Sequence, residues 1–278
     1  ELLGLTPGNE VSFLEKPKVK HYPMLDGFGD RWVEFHEIGC TDYDLGEMID
    51  HLIIDARKLN LQSKIELMFE SNDLRPLSMF SIKLALRAPV LVHWQLVRHR
   101  SINANFQSGR YMVFDEEDVY YPNSWRKQSV SNKQGSSDEV LNRRDFSEVI
   151  LKLIQNPNPA TRDLANAAAS KPWVNREDSV KINALLEEYY DTGHAIYKAL
   201  LDQGAAKEQA RMFLPAWASL YTAVIKFDLM YFMRFLRLRT APDAQAEIRA
   251  YANQMFEIFK EAMPFTAEIA AQYNFSGS

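Results

Sequence analysis

Residues 80–100 read FSIKLALRAPVLVHWQLVRHR, and residues 101–114 continue SINANFQSGRYMVF. The first half alternates: Phe80, Ile82, Leu84, Leu86 and Ala88 are apolar, while Ser81, Lys83, Ala85 and Arg87 fall between them. A two-residue period is the mark of a strand with one buried face. Pro89 ends that strand and suits the first turn of a helix. Val90, Leu91, Trp94 and Val97 then carry a helix to the basic triplet at Arg98. Ser101 to Gly109 reads as a loop, and Tyr111 to Phe114 as extended chain.

Outward from this stretch the elements are mixed. Leu45, Met48, Ile49, Leu52, Ala56 and Leu59 recur at helical spacing, with Thr41 or Asp42 placed to cap. The first forty residues show no clear period and read as extended segments and loops. Residues 123–180 read as an insertion with one helix near Val140 to Ile154; Ser129 to Asp138 is polar, and Asn156-Pro157-Asn158-Pro159 is a strong break. A long helix is predicted from Ser179 to Leu201 with Gly204 as its stop. A short helix over Glu208 to Leu214 ends at Pro215. Leu220 to Asp228 alternates like a strand, and helices follow over Leu229 to Arg239 and Ala244 to Ala262. Helices outnumber strands without a regular strand-helix-strand succession. The expectation is an α+β fold, with one antiparallel sheet and helices packed on it, in a single domain over 1–278.

Composition narrows the function. With 278 residues the chain can bury a large core, and 16 Phe argue against disorder. The formal net charge is −5, so overall charge favours neither nucleic acid nor an anionic membrane, and any basic site must be a local cluster. Cys40 is the single cysteine, which excludes an intrachain disulfide and a cysteine-rich metal site. Glu1 to Leu5 lacks the basic flank and long apolar run of a secretory signal, so a cytoplasmic protein is expected. Gly27-Phe28-Gly29 lacks the third glycine of a dinucleotide fingerprint, and no histidine pair has metal-ligand spacing; no metal is expected.

Two basic constellations remain. Arg98 and Arg100 close a helix, where cations suit the negative end of its dipole; a solvated helix end explains them by themselves. Ser108-Gly109-Arg110 adds a hydroxyl, N–H groups that a glycine turn can aim at an anion, and a guanidinium fork. Together they could hold two anionic ligands. Near the other end, Arg234 and Arg237 share one helix face, which reads as a solvated stripe, whereas Arg239 ends a strongly apolar helix. Partly buried, it needs an anionic or carbonyl partner. Ser108 has no obvious activating base, so it reads as a binding residue rather than a nucleophile.

Arg98-His99-Arg100, seven residues and Ser108 form a pattern that resembles the flavin-dependent thymidylate synthases. The flanks are similar too: Ala88-Pro89, Gln95, Gly109-Arg110-Tyr111, and later Ala210-Arg211, Leu214-Pro215, Phe235-Leu236, Leu238-Arg239, Ala244-Gln245 and Glu247-Ile248. The resemblance covers roughly 43–122 and 184–273. It implies reductive methylation of dUMP to dTMP by methylenetetrahydrofolate, with FAD and NADPH supplying reduction, in a homotetramer whose active sites form between subunits. It implies that Gln95, Ser108, Gly109, Arg110, Arg211 and Arg239 bind the nucleotide, with Arg239 also the catalytic residue facing the uracil. Arg98, His99, Arg100, Phe106, Asp228 and Arg234 would meet the flavin.

Three positions depart from the family pattern. Phe106 stands where family members usually carry Glu. The turn Asp73-Leu74-Arg75-Pro76-Leu77-Ser78-Met79 keeps only the proline of a His-rich, acidic motif. Asp243 stands where a histidine commonly follows the last arginine. All three lie where the family meets flavin or folate. A methylase of UMP, a hydroxymethylase of dUMP, and a catalytically inactive nucleotide-binding or scaffold protein are the alternatives these departures leave open.

Overall fold

The computed structural model describes residues 20–23, 31–38, 41–99, 101–115, 118–130, 136–171 and 180–275. The readings placed on Gly27–Gly29, Cys40 and Arg100 lie outside them. In chain order the strands are β1 (Lys20–Pro23), β2 (Trp32–Ile38), β3 (Ser81–Pro89), β4 (Ile102–Phe106), β5 (Arg126–Gln128), β6 (Ser136–Val140) and β7 (Leu220–Asp228). The helices are α1 (Asp42–Leu52), α2 (Leu61–Glu70), α3 (Val90–Leu96), α4 (Arg143–Ile154), α5 (Pro159–Ser170), α6 (Val180–Asp202), α7 (Lys207–Ala210), α8 (Leu229–Arg239), α9 (Ala246–Ala262) and α10 (Pro264–Gln272). This is an α+β fold. The main sheet has the order β1-β2-β3-β7-β4 with antiparallel neighbours throughout, and β5 and β6 pair as a separate ribbon.

The alternation in β3 and β7 sets the core. Ile82 pairs with Phe227, Leu84 with Ile225 and Leu86 with Ala223, so all six side chains lie on one face. That face is fully buried under α8, α9 and α10, which contribute Phe232, Phe235, Tyr251, Phe259 and Ile269, and under α1 and α2. Burying each large apolar side chain contributes about 1.5–3 kcal/mol, which makes this cluster the main stabilising feature.

Local signals work as expected at several ends. Thr41 caps α1 in a reciprocal box with Asp44. Gly204 holds φ +80, the left-handed conformation that stops α6. Other elements differ. The segment Ser101 to Gly109 contains an edge strand, β4, hydrogen-bonded to β7. Its Ile102 and Ala104 pack on the core while Asn103 and Asn105 face out, and asparagine's weak strand preference hides that alternation. Tyr111 to Phe114 pairs with no strand among the described residues; it follows a turn, and Phe114 is pinned in a small cluster with Tyr197, Ala210 and Leu214. The helix expected to run through Leu59 stops at Leu52 and continues as a 3-10 segment, Ile54–Lys58.

Asp42 ties the first helix to the last. It is buried, and its carboxylate accepts hydrogen bonds from the backbone N–H groups of Phe265 (2.9 Å) and Thr266 (3.0 Å). These are orphan donors at the start of α10. Asp42→Ala is expected to destabilise the protein by about 2–4 kcal/mol, because charged hydrogen bonds are lost and donors are stranded. Urea unfolding monitored by tryptophan fluorescence would read it; a change below about 0.5 kcal/mol would show the cap to be dispensable.

Candidate active site

Two clusters of the expected residues form, at opposite ends of β4. The first gathers where α3 ends and α8 passes. Asp228 starts α8, its carboxylate accepting from the N–H groups of Met230 (3.0 Å) and Tyr231 (3.4 Å). Burial pushes the Asp228 carboxyl up, against those two hydrogen bonds. With the helix start set, its period brings Tyr231, Arg234, Leu238 and Arg239 towards one side. They meet Arg98 and His99 around a pocket of about 370 Å³.

His99 and Arg239, 140 positions apart in sequence, are joined directly: Arg239 Nε donates to His99 Nε2 at 3.1 Å. An arginine has no acceptor to offer, so Nε2 must be unprotonated and the ring's proton sits on Nδ1. Its pKa is accordingly pushed down to about 4, by burial first and then by the positive charges of Arg239 and Arg234. The ring of Phe235 meets His99 edge-on at 5.1 Å and holds its plane. Arg239 is half-buried as expected, but its partner is a neutral imidazole rather than an anion or a carbonyl. Its guanidinium therefore keeps its whole charge, aimed by one nitrogen and available through the others.

The second cluster lies at the far end. β4 spans four residue steps, about 14 Å, and delivers the chain to Ser108. The Ser108 hydroxyl accepts from Arg110 N–H at 3.4 Å. Gly109 is buried against Arg211: a Cβ built on it would lie 3.1 Å from Arg211 Nη1 and 2.7 Å from Phe114 Cε2. This close approach is the physical reason for a glycine. Tyr221 and Arg211 line one pocket, and burial raises the Tyr221 pKa while the charge of Arg211 opposes the rise. Arg110 is exposed and pairs with Glu208 at 3.1 Å, a surface pair worth about 0–1 kcal/mol and readily exchanged for a phosphate. Gly109→Ala should displace Arg211 or Phe114; on the nucleotide role that the family resemblance implies for this cluster, affinity should fall at least about tenfold with little loss of fold. Equal losses in thermal stability and affinity would point to Phe114 packing instead.

Gln95 donates a hydrogen bond to Gln245, the residue just before α9. Phe106 falls on the Arg211 side. Its ring meets the buried His93 edge-on at 5.1 Å, and with Trp94, Tyr221 and Arg211 it walls an apolar pocket of about 480 Å³. The turn at Asp73 is closed by its own ion pair with Arg75, at 2.7 Å. Asp243 is exposed. Tyr231, Gln245 and Glu208 were not singled out by sequence reading. Gln245 alone carried a signal, since it lies in the second matching block.

A profile described as "Thymidylate synthase complementing protein" matches residues 47–265. The chain belongs to this family. Among its relatives, a flavin-dependent thymidylate synthase of Thermus thermophilus is 35% identical over 190 residues, 68% of this chain. The match spans 56% of that relative, about half its length. The Dictyostelium discoideum flavin-dependent thymidylate synthase is 29% identical over 94% of this chain and 80% of its own. The solved UMP/dUMP methylase PolB of Streptomyces cacaoi, bound with 5-Br UMP, shares the fold with a TM-score of 0.64 at 22% identity. That likeness covers 90% of this chain and 97% of PolB. In this member of the thymidylate synthase complementing protein family, no helix among the described residues is long and apolar enough to cross a membrane. Among the same residues no His, Cys, Asp and Glu cluster could hold a metal.

Proposed function

We propose that the chain is a flavin-dependent methylase of uridine monophosphates, converting dUMP to dTMP with methylenetetrahydrofolate as carbon donor and NADPH as reductant. The observation that carries this reading is the His99–Arg239 pair inside a pocket of guanidiniums. Among the described residues no Asp or Glu lines that pocket, so its donor set suits an electron-rich, anionic ligand such as FAD. Arg98, His99 and Arg234 would hold the flavin, which supplies the reducing equivalents when bound. Asp228, by capping α8, would set the position of Arg234. Arg239 would bind the uracil ring, where its fixed charge stabilises negative charge developing on the nucleotide. Ser108, Gly109, Arg110 and Arg211 would take the phosphate, through backbone N–H groups and a guanidinium fork.

The two clusters stand at opposite ends of β4, so one chain does not close both around a single mononucleotide. We infer that the site is completed between subunits: one copy supplies Arg98, His99 and Arg239, and another supplies Ser108, Gly109, Arg110 and Arg211. A homotetramer, as in the family resemblance, meets that need. A second reading, in which UMP is also accepted, is favoured by Phe106, an apolar ring where an acidic residue is usual, and by the fold shared with a UMP/dUMP methylase.

The test is flavin binding by the purified protein, followed by release of tritium from C5-labelled dUMP with methylenetetrahydrofolate and NADPH. Failure to bind FAD under any reconstitution sinks the proposal. Product mass from dUMP and UMP in parallel separates methyl from hydroxymethyl and deoxyribose from ribose. Nucleotide affinity without turnover would establish the inactive scaffold instead.

A further inference from the structure

The pocket at His99 and Arg239 does not end at Arg234. Tyr231 and Arg234 also wall a second pocket of about 220 Å³, completed by Asn72, Leu74, Met230, Arg237 and Phe275. The two pockets therefore share a wall on α8, formed by Tyr231 and Arg234. Arg234 and Arg237 are i, i+3 neighbours on that helix, and among the described residues no Asp or Glu lines either pocket. Arg237 is only partly exposed and sits in a concavity, unlike a cation on a solvated stripe. Like charges gathered without counter-charge repel each other, in a chain whose formal net charge is −5. Asn72 holds φ +53 at the turn after α2, so a left-handed backbone position faces the same concavity.

We infer that the Arg237 pocket is a second anion subsite. It takes an oxyanion carried on the chain of an extended ligand whose ring end lies in the first pocket. The inference rests on the reading of the first pocket as the cofactor site. Two ligands of the proposed reaction carry such chemistry: the γ-linked glutamate carboxylates of a folate, and the phosphates of a dinucleotide. Leu74, Met230 and Phe275 give the pocket apolar walls for the connecting chain, and Arg237 supplies the fork that recognises the oxyanion.

The experiment compares wild type with Arg237→Gln and Arg237→Lys in direct titrations with FAD, dUMP, a pteroylmonoglutamate and a pteroyltriglutamate. Arg237→Gln should weaken FAD, the triglutamate or both about fivefold, leaving dUMP and the monoglutamate unchanged. Arg237→Lys keeps the charge but not the fork, so it should restore only a small part of that loss, and wild-type affinity for the affected ligand should fall more steeply with salt than that of Arg237→Gln. Loss confined to the triglutamate assigns the folate tail; loss confined to FAD assigns the phosphates. Unchanged affinity for both, or an equal loss for dUMP, overturns the inference. If wild type does not bind FAD at all, the proposed function fails; if it binds and Arg237→Gln changes nothing, only the second subsite fails. Should Arg237→Gln fold poorly, Arg237→Lys decides: its bare ammonium cannot keep a bidentate contact, so unchanged affinity for both ligands also overturns the inference.

Discussion

Arg239→Ala is expected to lower kcat about 10²–10³-fold, the cost of removing one preorganised donor from charge that develops during reaction. The structure makes the effect specific. Arg239 gives Nε to His99 and retains its other nitrogens for ligand. Arg239→Lys keeps a charge but not the fork, so it should recover only a small part of the loss. The His99 ring supplies an independent readout. It is held near a pKa of about 4 by burial first, then by Arg239 and Arg234. Removing Arg239 leaves burial in place, so the His99 pKa should rise but stay below its ordinary value, as NMR titration of the ring would measure. A depressed histidine pKa also has a stability sign. The neutral ring's stabilisation is complete above the unfolded value, about 6.5, and is lost as pH falls through the folded value. Wild type should therefore lose stability between those limits, and Arg239→Ala should lose less. Full activity in Arg239→Ala, or an unmoved His99 pKa, would remove Arg239 from the machinery assigned to it.

Mixing Arg239→Ala with Arg211→Ala should restore activity that neither variant has alone. Each removes one of the two clusters, and Arg211→Ala should by itself cost about 10²-fold or more, since a charged group beside a bound phosphate is lost. If a site takes Arg239 from one subunit and Arg211 from another, random assembly of a one-to-one mixture leaves roughly a quarter of the sites intact. If both came from the same chain, every site would lack one of them and the mixture would show only the mean of its parts. Co-expression with two affinity tags, purification of the mixed oligomer and a tritium-release assay would distinguish these outcomes. The structural basis is the placement of Gly109 against Arg211 at one end of β4 and of His99 against Arg239 beyond the other.

Much of the framework can be read along the chain. β7 and α8 fall at the limits that periodicity predicts, and β3 and α6 within a residue or two. Each carries a pattern strong enough to stand without its neighbours. The elements that escape notice are those whose pattern is weak. α5 fully buries only Ala165 and Ala168, with Leu164 and Ala169 partly buried, so its apolar face is short and made mostly of alanine. α10 buries Thr266, Ala267, Ile269 and Ala270 on one face, but a polar Thr lies inside that face and the apolar Phe265 and Ala271 lie outside it, so the stripe is blurred. β4 is an edge strand with two asparagines, and pairing with β7 is what makes it a strand.

The same division runs through the site. Turn chemistry and helix-end charge mark Ser108, Gly109, Arg110 and Arg239, and the family resemblance adds Arg98 and His99, because each rests on local patterns of consecutive residues. Local sequence carries no information about which charges become neighbours across 140 positions. Packing of α8 against the end of α3 decides that His99 is neutral and that Arg239 is aimed. Pairing of β4 with β7 decides that the cluster proposed for the nucleotide and the cluster proposed for the flavin part company within one chain. The reason is physical: periodicity and turn chemistry are fixed by nearest neighbours, whereas protonation, burial and the meeting of distant side chains depend on the dielectric and the packing that only the assembled core creates.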